Sequence, residues 1–90
     1  MQEICIEGSS FSTIEEIHEF LQNEMDFPEY YGGNLSALYD MLTDLCEETK
    51  VSIDLKGSTL NIREYLERMG QVLSDAQEEN PYLCVQIVNE

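Results

Sequence analysis

Apolar residues recur along this chain with two different periods, and the switches between them mark the elements. Ile4-Cys5-Ile6 is a short apolar run closed by Gly8, the pattern of a buried strand. Ile14, Ile17 and Leu21 follow at helical spacing, with Glu15, Glu16 and Glu19 largely on the opposite face. Ser12-Thr13-Ile14-Glu15 reads as the capping box of this helix, its hydroxyl and carboxylate satisfying free amides of the first turn. From Met25 to Gly33 the period breaks into loop, because Pro28 disfavours helical geometry at Phe27 and Gly32-Gly33 permits a tight or left-handed turn. Asn34 then caps a second helix. Its stripe is Leu35, Leu38 and Leu42, whereas Ser36, Tyr39, Asp40 and Thr43 run along a different face, which is expected to be exposed.

Val51 to Leu55 alternates apolar and polar, which predicts a strand with one buried face, and Gly57 ends it. Asn61-x-x-Glu64 resembles an opening cap. Ile62, Tyr65, Leu66, Met69, Val72, Leu73 and Ala76 then trace the longest amphipathic helix, stopped by Asn80-Pro81, and Leu83 to Val88 supplies a last apolar strand. The order β-α-α-β-α-β predicts a parallel sheet, since the helices provide the long crossovers that parallel neighbours require. The expected fold is a small α/β domain over residues 1–90, a three-stranded parallel sheet packed with helices.

Charge changes the picture more than length does. With 4 basic and 19 acidic residues the chain carries a formal charge of −15, and its first half, Met1 to Thr49, holds 12 Asp or Glu and no Lys or Arg. Such a field repels nucleic acid and anionic membrane surfaces and suits a positively charged partner. The 42% hydrophobic content and its regular period argue against disorder. Cys5, Cys46 and Cys84 are an odd number without Cys-x-x-Cys spacing, and two lie in apolar strand runs, so they are expected to be buried free thiols. Met1 to Gly8 lacks the features of a signal peptide, which makes a reducing cytoplasm the expected compartment.

The conventional site chemistries find little support. His18 is the only histidine and has no second ligand at metal spacing, so it is read as a helix-surface or partly packed residue, with no metal or cofactor expected. Asp40, Asp44, Glu47 and Glu48 lack calcium-loop spacing and read as a solvated helix end. No nucleophile and base pair is identifiable, so an enzyme is not expected. Tyr30 and Tyr31 carry more signal. Tyr31 reads equally as loop packing or as contact surface, while Tyr30 reads as an exposed interface aromatic, with Tyr39 extending the patch.

The run Pro28-Glu29-Tyr30-Tyr31-Gly32, with Asn34-Leu35, Ala37-Leu38, Asp40 and Leu42-Thr43, resembles the binding loop and second helix of the barstar family, bacterial intracellular inhibitors of the ribonuclease barnase. Ile14 to Leu21 around His18 is similar to the family's first helix, and Val72-Leu73 with Asp75-Ala76 to its last. The resemblance implies a stoichiometric inhibitor, monomeric when free, that plugs the active site of a basic ribonuclease. It implies that Asp40 takes the place of an RNA phosphate and that Tyr30 lies against the catalytic region. Asn34 and the Gly32 backbone would bond to enzyme loops, Thr43 would border the contact, and Asp75, or else Glu78 or Glu79, would add a second carboxylate.

Two positions depart from the family. Ser36 stands where barstar has a carboxylate and Tyr39 where it has a tryptophan, which removes one ionic contact and shrinks an aromatic one. Both changes point to a ribonuclease other than barnase. The competing reading is a barstar-like interaction module for a basic protein that is not a nuclease.

Overall fold

The computed structural model describes residues 2–29 and 31–88. Strand β1 (Gln2–Glu7) leads through a short 3-10 turn (Gly8–Ser10) into α1 (Ile14–Glu24) and α2 (Leu35–Thr43). Strand β2 (Thr49–Asp54), helix α3 (Leu60–Glu79) and strand β3 (Leu83–Val88) complete the order. The strands lie β1-β2-β3 and both pairs are parallel, so β2 is central.

The register aligns Ile4 with Val51 and Val85, and Ile6 with Ile53 and Ile87. These rows face the helices, where Ile4, Ile6, Val51 and Ile53 are buried with Ile17 and Leu21 of α1, Leu38 and Leu42 of α2, and Ile62, Leu66, Met69, Leu73 and Ala76 of α3. The alternate rows carry Glu3, Cys5 and Glu7 on β1, Lys50, Ser52 and Asp54 on β2, and Cys84, Gln86 and Val88 on β3, none of them buried. The sheet is therefore covered on one face only, whereas most parallel sheets are covered on both.

That open face corrects the reading of the cysteines. Cys5, Cys46 and Cys84 are free as expected but exposed, because period 2 sends Cys5 and Cys84 away from the helices that bury their neighbours. Slight burial, then the charges of Glu7 and Asp54, push the Cys5 thiol up, which disfavours the reactive thiolate.

The helix starts also shift. Thr13, one residue later than the sequence suggested, caps α1: its hydroxyl accepts from the Glu16 amide at 3.2 Å, and Glu16 Oε1 accepts from the amides of Thr13 at 3.1 Å and Ser12 at 2.7 Å. Ile14, the first residue of the expected stripe, is 37% exposed, unlike the buried Ile17 and Leu21 that continue it. Thr59 caps α3, accepting from the Ile62 amide at 3.4 Å, so Asn61 lies inside the helix and not at its cap.

Asn80 ends α3 and fixes its neighbour. Its buried side chain donates to the carbonyls of Leu42 at 2.9 Å and Leu45 at 3.0 Å, and accepts from the Tyr82 amide at 2.9 Å. One amide thereby satisfies carbonyls at the end of α2 while aiming the chain into β3. The placement of α2 against α3 is set by this bond as well as by apolar contact.

Candidate partner-binding surface

The loop between α1 and α2 is pinned from several sides. Met25 closes α1, its amide bonding to the Leu21 carbonyl at 2.9 Å, and Asp26 turns the chain with φ +55°, a left-handed conformation that Asp tolerates better than most residues. The Phe27 amide then returns to the Gln22 carbonyl at 3.0 Å. The Pro28 carbonyl accepts from Gln22 Nε2 and from the Tyr31 amide, each at 3.0 Å. Phe27 and Tyr31 are both buried, their ring centres 4.9 Å apart. Tyr31 is thus loop packing, which resolves the two readings its sequence left open.

Its hydroxyl ends in a clamp that the sequence did not disclose. Tyr31 Oη lies 2.6 Å from His18 Nδ1, and Tyr65 Oη lies 2.6 Å from His18 Nε2. Three separate segments, α1, the loop and α3, therefore meet at one imidazole. Far from being a surface residue, His18 is only 4% exposed. Burial holds its pKa below the ordinary histidine value and raises those of both tyrosines, with the proximity of Tyr65 a lesser contribution at Tyr31. A neutral ring donates through one nitrogen and accepts through the other, so one hydroxyl donates and one accepts. Nothing local signals this: the partners stand 13 and 47 residues away, and Tyr65 hides in the apolar stripe of α3.

Gly33 adopts φ +67°, the left-handed geometry that glycine takes without strain, and brings the chain to the start of α2. Asn34 caps that helix, its Oδ1 accepting from the Ala37 amide at 2.8 Å. As the period predicts, Leu38 and Leu42 are buried and Leu35 half-buried, while Ser36 and Asp40 are exposed. Tyr39 and Thr43 are intermediate: Tyr39 leans on the core, and the Thr43 hydroxyl donates to the Asp40 carbonyl at 3.1 Å. Among the described residues no hydrogen bond or ion pair engages the Asp40 carboxylate.

Gly32, Asn34, Ser36, Tyr39, Asp40 and Thr43 thus follow one another along a continuous loop and helix surface. Asp75 belongs to the adjacent α3, exposed, and accepts from Gln71 Nε2 at 3.1 Å instead of meeting α2 directly. Tyr30 lies outside the described residues. The outward side of α2 thus presents one exposed carboxylate, Asp40, beyond a loop held by the Phe27 and Tyr31 packing. The family described as Barstar (barnase inhibitor) matches residues 1–87.

The chain belongs to the barstar family. It is also 38% identical over 81 residues, 88% of its own length and 89% of the relative's, to a Bacillus subtilis (strain 168) protein named Putative ribonuclease inhibitor YrdF. The family is one of inhibitors, not enzymes, and among the described residues no group of three or more His, Cys, Asp or Glu side chains could hold a metal ion.

Beside the α2 surface lies a shallow cleft of about 260 Å³ between α1 and the loop. Glu15, His18, Glu19 and Gln22 form one wall along α1, and Tyr31 with Gly32 and Gly33 forms the other. Glu15 and Glu19 are exposed opposite the apolar stripe, as the helical period predicts, and the loop that makes their face concave meets the helix only in three dimensions.

Proposed function

We propose that this protein is a stoichiometric inhibitor of a basic, extracellular-type ribonuclease, acting in the cytoplasm of the cell that makes the enzyme. Helix α2 and the loop before it cover the active site. Asp40 is the anchor: a nuclease site holds phosphates with Arg, Lys and His, and a carboxylate placed there gains charge-assisted, bidentate bonds in the phosphate's stead. Gly32 and Asn34 bond to enzyme loops, Tyr30 and Tyr39 supply apolar contact, Ser36 and Thr43 border the helix contact, and Asp75 adds a second carboxylate from α3.

The observation that carries this reading is the Asp40 carboxylate itself. It is exposed on the outward face of α2 and has no partner in the fold among the described residues. The half-chain from Met1 to Thr49 has no Lys or Arg to neutralise it. Ser36 and Tyr39 favour an enzyme whose surface differs from barnase, because the first offers no charge to an opposing arginine and the second a smaller ring.

The test is an RNA-cleavage assay on a panel of basic secreted ribonucleases, barnase included, titrated with the protein. Cleavage by at least one enzyme should stop at one equivalent. Asp40→Ala should abolish that titration at the same concentrations. Capture of a basic protein without nuclease activity, with every ribonuclease uninhibited, would replace this reading with the interaction-module alternative.

A further inference from the structure

We propose that the cleft between α1 and the Gly32-Gly33 turn is a second contact site, which receives a cationic side chain, arginine or lysine, from the ribonuclease. This inference rests on the inhibitor reading and extends its surface from α2 onto α1.

The cleft is built for such a group in three respects. His18 and Tyr31 line it, held in place by their mutual hydrogen bond, and nearby aromatic groups favour a cation. Its far wall is low because Gly32 and Gly33 carry no side chains, and the φ of +67° at Gly33 favours glycine there. Its rim carries Glu15 and Glu19, one helical turn apart on α1, both exposed and without an ion-pair partner among the described residues.

Glu15 shares the first turn of α1 with Glu16, where the helix dipole favours a carboxylate, but the fold gives Glu19 no such use. Glu16 closes the capping box, whereas Glu19 lies beyond the first turn, where the favourable helix-dipole interaction fades. The cleft is also continuous with the proposed interface, since Gly32 belongs to both. A partner lying on Gly32 and Asn34 thus has the cleft within a side chain's reach, and the acidic rim compensates for the carboxylate missing at Ser36.

Two measurements separate this site from the inhibitor reading. In an amide NMR titration with N-acetyl-argininamide, Gly32 and Gly33 should show saturable shifts that the neutral glutamine analogue does not produce. The shifts should persist in Asp40→Ala and vanish in the Glu15→Gln/Glu19→Gln double variant. Shifts absent at the two glycines, or unchanged in the double variant, would overturn the proposal. With a ribonuclease that the wild type inhibits in the panel assay as the probe, the double variant should bind about tenfold more weakly, the scale of two exposed ion pairs. Glu3→Gln/Glu7→Gln removes equal charge from the open sheet face and should have a smaller effect; equal weakening by both pairs would show a long-range field and no cleft contact. Inhibition lost in Asp40→Ala but intact in the double variant would remove the cleft and leave the inhibitor reading. Saturable arginine shifts without inhibition of any ribonuclease would do the reverse.

Discussion

Replacing His18 with Phe tests whether one buried imidazole holds the binding loop in place. The substitution keeps a ring in the core but leaves two hydroxyls without their 2.6 Å partner. Tyr31, 8% exposed, cannot turn to water, so its orphaned hydroxyl costs about 1–3 kcal/mol, while half-buried Tyr65 regains solvent at a smaller loss. A total of about 2–3 kcal/mol follows. For a 90-residue chain whose unfolding entropy scales in the usual way, that lowers Tm by roughly 10–15 °C. Urea and thermal unfolding give the global loss, and hydrogen exchange at the hydrogen-bonded amides of Phe27 and Tyr31 gives the local one, which should quicken more than exchange in the β2 strand. The decisive control is His18→Phe/Tyr31→Phe, which removes both ends of the buried bond and should recover about 1 kcal/mol or more. A double variant no more stable than His18→Phe, or a single variant within about 0.5 kcal/mol of wild type, would refute the clamp.

Three further outcomes follow from the same structure. Burial holds the folded pKa of His18 below the ordinary histidine value of 6.5, so at higher pH both states are neutral and the clamp contributes fully; as pH falls below 6.5 the unfolded chain takes up the proton first, and stability is lost until the folded pKa is passed. The stability difference between wild type and His18→Gln should accordingly shrink from pH 8 to pH 5 in urea titrations, and a constant difference would contradict it. Asn80→Ala strands the Leu42 and Leu45 carbonyls and the Tyr82 amide, and should cost about 2–3 kcal/mol by urea midpoint, with a loss under about 0.5 kcal/mol counting against the tie. Raising salt from 20 to about 200 mM should raise Tm by screening the repulsion within a chain of charge −15, and a salt-indifferent Tm would show that the repulsion is not felt.

Local pattern disclosed most of the fold, and the places where it failed share a cause. The alternation of Val51, Ile53 and Leu55, the Asn34 cap and the stripe of α3 are all contained within a few residues, and the structure reproduces them. Cys5 and Cys84 looked buried because an apolar run does not say whether helices cover one face of the sheet or two. The α1 cap slipped by one because Ser12 and Thr13 are chemically equivalent until Glu16 chooses between them. The outward ridge of α2 was legible as polar residues interrupting an apolar helix. The His18 clamp and the cleft over it were not, since each is made by contacts between segments that only the folded chain brings together.

The account turns on Asp40, and a calorimetric comparison of wild type with Asp40→Asn against a ribonuclease the wild type inhibits tests it most directly. The substitution keeps the shape and removes the charge that stands in for a phosphate. Unpairing a buried arginine in this way costs about 3–5 kcal/mol, so the account predicts one-to-one binding by both proteins with Kd raised about 100-fold or more in the variant. An Asp40→Asn protein that binds and inhibits as tightly as wild type would contradict it.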